Sequence, residues 1–287
     1  MKIGTYFAYW AKEWQVDYFP YLDKAADAGF DVLEISSGIW DLSEKKLKEL
    51  RIRAEDKGLI LTVCLGIPKH LNVSSDCESV RRAGVDYINQ LIKKMDMANI
   101  RKIGGILYAY WPCDYTQPVN KEKAREISIA SVREMADFAN DYGIEMEMET
   151  VNRFEQFMIN DAAEAVSYVK DVGRDNVKVM LDSFHMNIEE DSMSSAIRTA
   201  GKYLGHFHIG ENNRKVPGKG RMPWQEMADA LKEINYQGYV VMEPFVRMGG
   251  GVGSDIKVWR DLSGNASDAQ LDADIRESCA FCKSIFR

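Results

Sequence analysis

Histidine is scarce in this 287-residue chain, with four in all: His70, His185, His206 and His208. A centre built from many imidazoles, such as a multi-zinc site, cannot be assembled from so few. Basic residues do not dominate either. With 37 Lys and Arg against 44 Asp and Glu the formal charge is −7, and the cationic face that counterion release from nucleic acid requires is missing. No apolar run approaches the ~18 residues of a membrane span. The start, Met1-Lys2-Ile3-Gly4-Thr5-Tyr6, has no basic-then-apolar leader pattern. Cysteines are odd in number and irregularly spaced (Cys64, Cys77, Cys113, Cys279, Cys282), which argues for reduced thiols and a cytoplasmic setting. Cys279-Ala-Phe-Cys282 has no second pair and reads as ordinary thiols on a helical tail. No Ser- or Pro-rich linker divides the chain, so residues 1–287 are expected to form one domain.

What remains is ordinary globular composition, 46% hydrophobic and 28% charged. One alternation runs its whole length. Runs rich in apolar and β-branched residues recur at 2–10, 30–36, 60–66, 102–111, 144–150, 177–182, 204–210 and 238–244. Charged stretches with helical spacing lie between them, and Gly29, Gly58, Gly143 and Gly173 mark helix ends. Eight such units predict an α/β fold, a (β/α)8 TIM barrel with a C-terminal helical tail. A doubly wound open sheet would fit six strands better.

In barrels of this kind chemistry sits at the carboxyl ends of the strands. Strand one ends Tyr9-Trp10 and strand four Tyr110-Trp111-Pro112. Strand five ends in Glu149, strand six in Asp182, strand seven carries His206 and His208, and strand eight ends Glu243-Pro244. Acidic residues are poor strand formers, so four consecutive strands delivering acids or imidazoles to one rim mark a site. Two Glu, one Asp and one His form an oxygen-dominated set whose repulsion a divalent cation would offset, with Mn²⁺, Mg²⁺ or Co²⁺ favoured over tetrahedral zinc. The competing reading is a set of rim ion pairs with Arg153, Arg214 or Arg247.

The segments Glu149-Thr-Val-Asn-Arg-Phe-Glu155, Val179-Met-Leu-Asp-Ser-Phe-His-Met-Asn-Ile-Glu-Glu190, Gly205-His-Phe-His-Ile-Gly-Glu211, Val216-Pro-Gly-Lys-Gly-Arg221 and Val241-Met-Glu-Pro-Phe-Val-Arg-Met-Gly-Gly250 closely resemble the ketose 3-epimerase family. That family, within the xylose isomerase-like TIM barrel superfamily, acts on D-tagatose, D-psicose (D-allulose) and related free ketoses. The resemblance implies Glu149, Asp182, His208 and Glu243 as metal ligands, with Mn²⁺ the usual metal and Co²⁺ or Mg²⁺ able to substitute. It implies Glu149 and Glu243 as the catalytic pair. One removes the C3 proton and the other reprotonates a cis-enediolate from the opposite face. Glu155, His185 and Arg214 would hold the O1–O3 end of the sugar, the first two from rim loops, and Tyr6, Trp14, Trp111 and Phe245 would wall its far end. A homodimer or homotetramer and a small-molecule ketose as partner follow from the same likeness, while charge and the lack of a long apolar run argue against nucleic acid and membrane. Ile209, Thr150 and the segments 36–40 and 65–70 depart from the family pattern, and the two segments are expected to line the C4–C6 end of the pocket.

Three rivals stay open: an aldose–ketose or sugar-phosphate isomerase on the same barrel, a DNA-repair endonuclease of similar architecture, and a non-catalytic sugar binder. Histidine count and net charge oppose the endonuclease. Two local readings are also open. Glu145-Met-Glu147-Met-Glu149 alternates, so Glu147 either points inward to meet His206 beneath the metal or is turned outward by a bulge to a helix lysine. Gly249-Gly-Gly-Val-Gly253 follows strand eight, where barrels often bind phosphate, but a turn-forming or flexible role fits it better.

Overall fold

The computed structural model describes residues 1–287. Eight parallel strands close into a barrel in chain order: β1 (Lys2–Tyr6), β2 (Val32–Ile35), β3 (Ile60–Ile67), β4 (Lys102–Tyr110), β5 (Glu145–Glu149), β6 (Val177–Asp182), β7 (Leu204–Ile209) and β8 (Tyr239–Met242). Helices α1 (Phe19–Ala28), α2 (Glu44–Asp56), α3 (Glu78–Met97), α4 (Lys121–Asp141), α5 (Ala162–Val172), α6 (Ser183–Glu189), α7 (Met193–Ala200) and α8 (Trp224–Glu233) occupy the crossovers. A short α9 (Gly250–Asp255) and a long α10 (Asp268–Phe286) follow β8. No helix is long and apolar enough to cross a membrane.

The strands are buried on both faces, as a parallel sheet covered by helices must be, so they read as apolar runs rather than alternations. The helices are amphipathic. On α3 the buried Val85, Ile88, Leu91, Ile92 and Met95 recur at three- and four-residue spacing and form one stripe against the sheet. Ser43, Asn120, Asp161 and Ser267 cap helix starts with side-chain oxygens. Gly29 and Gly173 end α1 and α5 in the left-handed conformation that a side chain would strain.

The end strands are shorter than expected. β1 stops at Tyr6, and Phe7–Tyr9 turn into a single 3₁₀ turn. Tyr9 and Trp10 therefore do not reach the rim. The Tyr9 hydroxyl donates to the Leu271 carbonyl at 3.0 Å and Trp10 Nε1 to Asp272 Oδ1 at 2.8 Å, so both anchor α10. β8 stops at Met242, leaving Glu243 one residue beyond, although its N–H still bonds the Ile209 carbonyl at 2.9 Å. The glycine run is also corrected: it forms α9. Gly251 N–H donates to Glu13 Oε2 and Val252 N–H to the Lys12 carbonyl, both at 3.0 Å. Tertiary contacts with the β1–α1 connection override the poor helix propensity of glycine and occupy donors that a phosphate would need. Cys279 and Cys282 are buried free thiols in α10.

Candidate active site

Parallel pairing places the ends of β5, β6, β7 and β8 side by side, and the chain delivers one polar side chain from each. Glu149 is the last residue of β5, Asp182 the last of β6, and His208 the last but one of β7. With Glu243 these residues each bring one donor atom within 4.8 Å of the others, and all four are buried. Asp182 is held by its second task as cap of α6, where Oδ1 accepts the Phe184 N–H at 2.7 Å.

Without a further cation the cluster is electrostatically strained. Burial, reinforced by Glu243 and opposed by His208, pushes the Glu149 carboxyl well above the usual range. Burial likewise pushes Glu243 up to about 7, against the pull of His208 and Arg214. His208 moves the other way from what its burial alone would give: Glu34 and Glu243 raise it to about 10. Its Nδ1 is buried without a hydrogen-bond partner, 3.6 Å from Glu243 Oε1. Three carboxylates with one unpartnered imidazole nitrogen are the donor set that a hard or borderline divalent cation takes, so the residues fit such an ion.

Of the arginines weighed as ion-pair partners, Arg153 binds Glu189 at the surface and Arg247 the Trp10 carbonyl. Only Arg214 enters the site. Its Nη1 lies 2.8 Å from Glu243 Oε2 and 3.5 Å from Asp182 Oδ2, while Nη2 lies 3.4 Å from Glu155 Oε1. The guanidinium stacks on Phe184 at 3.8 Å. Arg214 itself has a positive φ of 63°, unusual for a side-chain-bearing residue. The fully buried Glu211 holds that turn: Oε1 accepts from Gly218 N–H and Trp224 Nε1, and Oε2 from Met222 N–H. Glu211 closes the Gly205–Glu211 motif, and nothing local in the sequence marks this role.

His185 lies not in a rim loop but on α6, fully within the wall. Its Nδ1 accepts the Asn152 backbone N–H at 3.0 Å, so the neutral ring carries its hydrogen on Nε2, which faces Asp182 and Glu149. Burial keeps the ring neutral by lowering its pKa. Glu155 Oε2 accepts from Trp111 Nε1 at 2.9 Å, tying an acid to an aromatic wall. Tyr6, Trp14, Trp111 and Phe245 line the same cavity, joined by Leu65 and by Cys64, Ile106, Val151 and Ile256, to which the sequence gave no place in the pocket. Tyr6 and Trp14 each pack against Phe245, with ring centroids 6.1 and 6.3 Å away.

The segments expected at the far end of the pocket are largely elsewhere. Residues 36–40 enter a 3₁₀ turn in which Trp40 packs on Tyr87 at 4.7 Å, away from the cavity. Of 65–70 only Leu65 lines it, and His70 sits on an outer 3₁₀ turn. Thr150 and Ile209 are buried outside it.

One layer lower, Glu147 points inward: Oε2 lies 3.3 Å from His206 Nδ1. Its other oxygen accepts from Lys102 Nζ at 2.6 Å, so the lysine comes from the neighbouring strand rather than a helix. A further acid completes this layer. Glu34, on β2, pairs with His208 Nε2 through Oε1 and lies 3.3 Å from His206 Nε2 through Oε2. Thr62, its register partner on β3, donates to Oε2 at 2.8 Å.

The family model described as "Xylose isomerase-like TIM barrel" matches residues 22–283. A D-psicose 3-epimerase from Agrobacterium fabrum is 51% identical over 286 residues, 99% of each chain. A crystal structure of D-psicose 3-epimerase in the presence of D-fructose superposes with a TM-score of 0.98, covering 100% of this chain and 99% of that one at 51% identity. Another, of the enzyme with D-tagatose from Clostridium cellulolyticum H10, gives 0.99 at 49% identity with both chains fully covered.

Proposed function

We infer the function from one premise: the chain belongs to the xylose isomerase-like TIM barrel family and, within it, to the ketose 3-epimerases. It is a carbohydrate epimerase of the isomerase class, acting at C3 of ketoses. D-fructose and D-psicose are our choice of substrate pair, with D-tagatose and D-sorbose alongside. The observation that carries the reading is the convergence of Glu149, Asp182, His208 and Glu243, the two glutamates of which line a cavity walled by aromatic rings.

In this reading those four residues hold a divalent cation, Mn²⁺ by preference, with Co²⁺ or Mg²⁺ able to replace it. Bound there, the cation supplies a Lewis acid beside the negative charge that develops on O2 when C3 loses its proton. The chain's residues do the rest. One of Glu149 and Glu243 starts as carboxylate and takes the C3 proton. The C–H electron pair becomes the C2–C3 double bond of an enediolate, and the other, starting as the acid, returns a proton to the opposite face of C3. The two carboxyls end with their protonation states exchanged, so either epimer is a substrate. Burial supports this division of labour: it makes ionising both carboxyls at once costly, which favours one of the pair holding a proton. The inward Nε2–H of His185 is a donor for a sugar oxygen. Glu155 and Arg214 offer an acceptor and a donor, and Tyr6, Trp14, Trp111 and Phe245 present apolar faces to the sugar's C–H groups.

An assembly of two or four copies in the cytoplasm completes the proposal, and sedimentation velocity measures its size. The deciding experiment is an epimerisation panel over ketohexoses and ketopentoses, with chelated enzyme refilled by Mn²⁺, Co²⁺ or Mg²⁺. D-fructose is expected to yield D-psicose without aldose and without a phosphate requirement. An aldose product would favour isomerase chemistry on the same barrel.

A further inference from the structure

Glu34 has no place in the reaction above, yet its position is costly for an acid. It sits within β2, 1% exposed, where the rest of the strand is Val, Leu and Ile. It survives burial because both oxygens are used. Oε2 accepts from Thr62 and faces His206, and Oε1 is committed to His208 Nε2. A carboxylate offers only lone pairs, so Nε2 of His208 must carry the hydrogen in this contact. When the ring is neutral, the lone pair is then on Nδ1. That is the atom left without a hydrogen-bond partner and turned toward Glu243.

The anchor is itself backed. His206 lies between Glu34 and Glu147 at 3.3 Å from each, beside the Glu147–Lys102 pair, so the Glu34 carboxylate cannot swing away without losing contacts on two other strands, β3 and β7. Thr62 fixes the remaining freedom of Oε2 from the adjacent strand.

We propose that Glu34 is a positioning residue. It holds His208 with the hydrogen on Nε2 and so leaves Nδ1 as the donor atom that the carboxylate cluster presents to a divalent cation. This rests on reading the cluster as a cation site, and it adds a residue that touches neither cation nor sugar. Glu34→Gln is the discriminating change. Its amide has nearly the same shape, but its NH₂ can donate to Nε2, which moves the imidazole hydrogen to Nδ1 and blocks the donor atom.

The test strips the protein with a chelator and titrates MnCl₂ by calorimetry into the unaltered chain, Asp182→Asn, Glu34→Gln and Thr62→Val. Co²⁺ absorption serves as a second readout. The unaltered chain is expected to bind one Mn²⁺ tightly and Asp182→Asn to lose that site. Groups behind a metal-bound histidine typically govern affinity by 10–100-fold, so Glu34→Gln should bind Mn²⁺ about 10–100-fold more weakly, with an altered Co²⁺ band and turnover recovered in excess Mn²⁺. Thr62→Val should weaken binding in the same direction by roughly fivefold, the worth of one hydrogen bond. A Glu34→Gln protein with unchanged Mn²⁺ affinity overturns the inference alone, even if it melts earlier, because that is a merely structural role. If Glu34→Gln does not fold, Thr62→Val decides, and unchanged affinity there overturns it. If the unaltered chain has no tight site, or Asp182→Asn keeps it, the cation reading falls and this inference with it.

Discussion

Two adjacent layers of the barrel interior handle buried charge in opposite ways. In the upper layer Glu149, Asp182 and Glu243 crowd around His208 and the single guanidinium of Arg214, and both glutamates are pushed toward the protonated form. In the lower layer each acid has its own counter-group: Glu34 meets two histidines and Thr62, and Glu147 meets His206 and Lys102. Burial still raises Glu147, but Lys102 pulls it down, and Lys102 is held charged by Glu147 and Glu145 against its own desolvation. The lower layer gives each acid a counter-group, although the two ring nitrogens of His206 lie 3.3 Å from Glu34 and Glu147 without making a hydrogen bond. The upper layer is left short of positive charge, and that deficit is what a cation and a reacting sugar would use.

The sharpest way to break this contrast is to neutralise the upper layer. Glu149→Gln and Glu243→Gln should each lower kcat by about 10²–10⁴-fold, the usual worth of general acid–base groups, with circular dichroism unchanged. Full turnover in either variant would mean that the strained acids are not the catalytic ones. Next comes the lower layer. Lys102→Met leaves Glu147 buried without its cation and should cost about 3–5 kcal/mol, read as a fall in thermal unfolding temperature. Adding Glu147→Leu should recover much of that loss, whereas independent contributions would simply add.

A smaller effect separates the layers by pH. Glu149, Glu243 and His208 all have raised values in the folded chelated protein, so each binds protons more tightly folded than unfolded. Their contribution is present at low pH and is lost as pH rises, from about 4.5 to 7 for Glu243 and from about 6.5 to 10 for His208. Glu34 has the opposite sign: its depressed value contributes stability above about 4.5 that is lost on acidification. Urea unfolding of chelated protein across pH should therefore show stability declining between pH 5 and 8, with the decline flattened by Mn²⁺. A rise over that range would reverse the assignment. The smallest change expected is Trp111→Phe, which keeps an aromatic wall but drops the bond to Glu155. KM should rise by roughly 2- to 10-fold with kcat nearly kept, the worth of one hydrogen bond.

The upper layer was legible because its acids interrupt apolar strands at their carboxyl ends, whereas the alternation in Glu145–Glu149 left Glu147 open between an inward and an outward position. Glu34 carries a similar signal, an acid inside Val32-Leu-Glu-Ile35, but sequence reading passed over it. Its partners Thr62 and His208 lie 28 and 174 positions away, and no pattern within one strand reports on a neighbour across the barrel. Arg214 was found by likeness, but its left-handed backbone depends on Glu211 binding three donors of its own loop, a tertiary effect. The glycine run misled for the same reason. Intrinsic propensity argues against a helix at 250–255, and contacts with Lys12 and Glu13 decide for one.

The clasp between the first crossover and the last helix has a practical corollary. Tyr9 and Trp10 are tied to Leu271 and Asp272, and Arg287 at the end of the chain pairs with Asp31 just before β2. Trp14 on the cavity wall belongs to the same stretch that this clasp secures, and its Nε1 donates to Asp255 of α9 at 2.8 Å. Attachment chemistry at the carboxyl terminus would thus load the helix whose other end holds Tyr9 and Trp10. The exposed, highly charged face of α2 is the better handle for fixing the protein to a support.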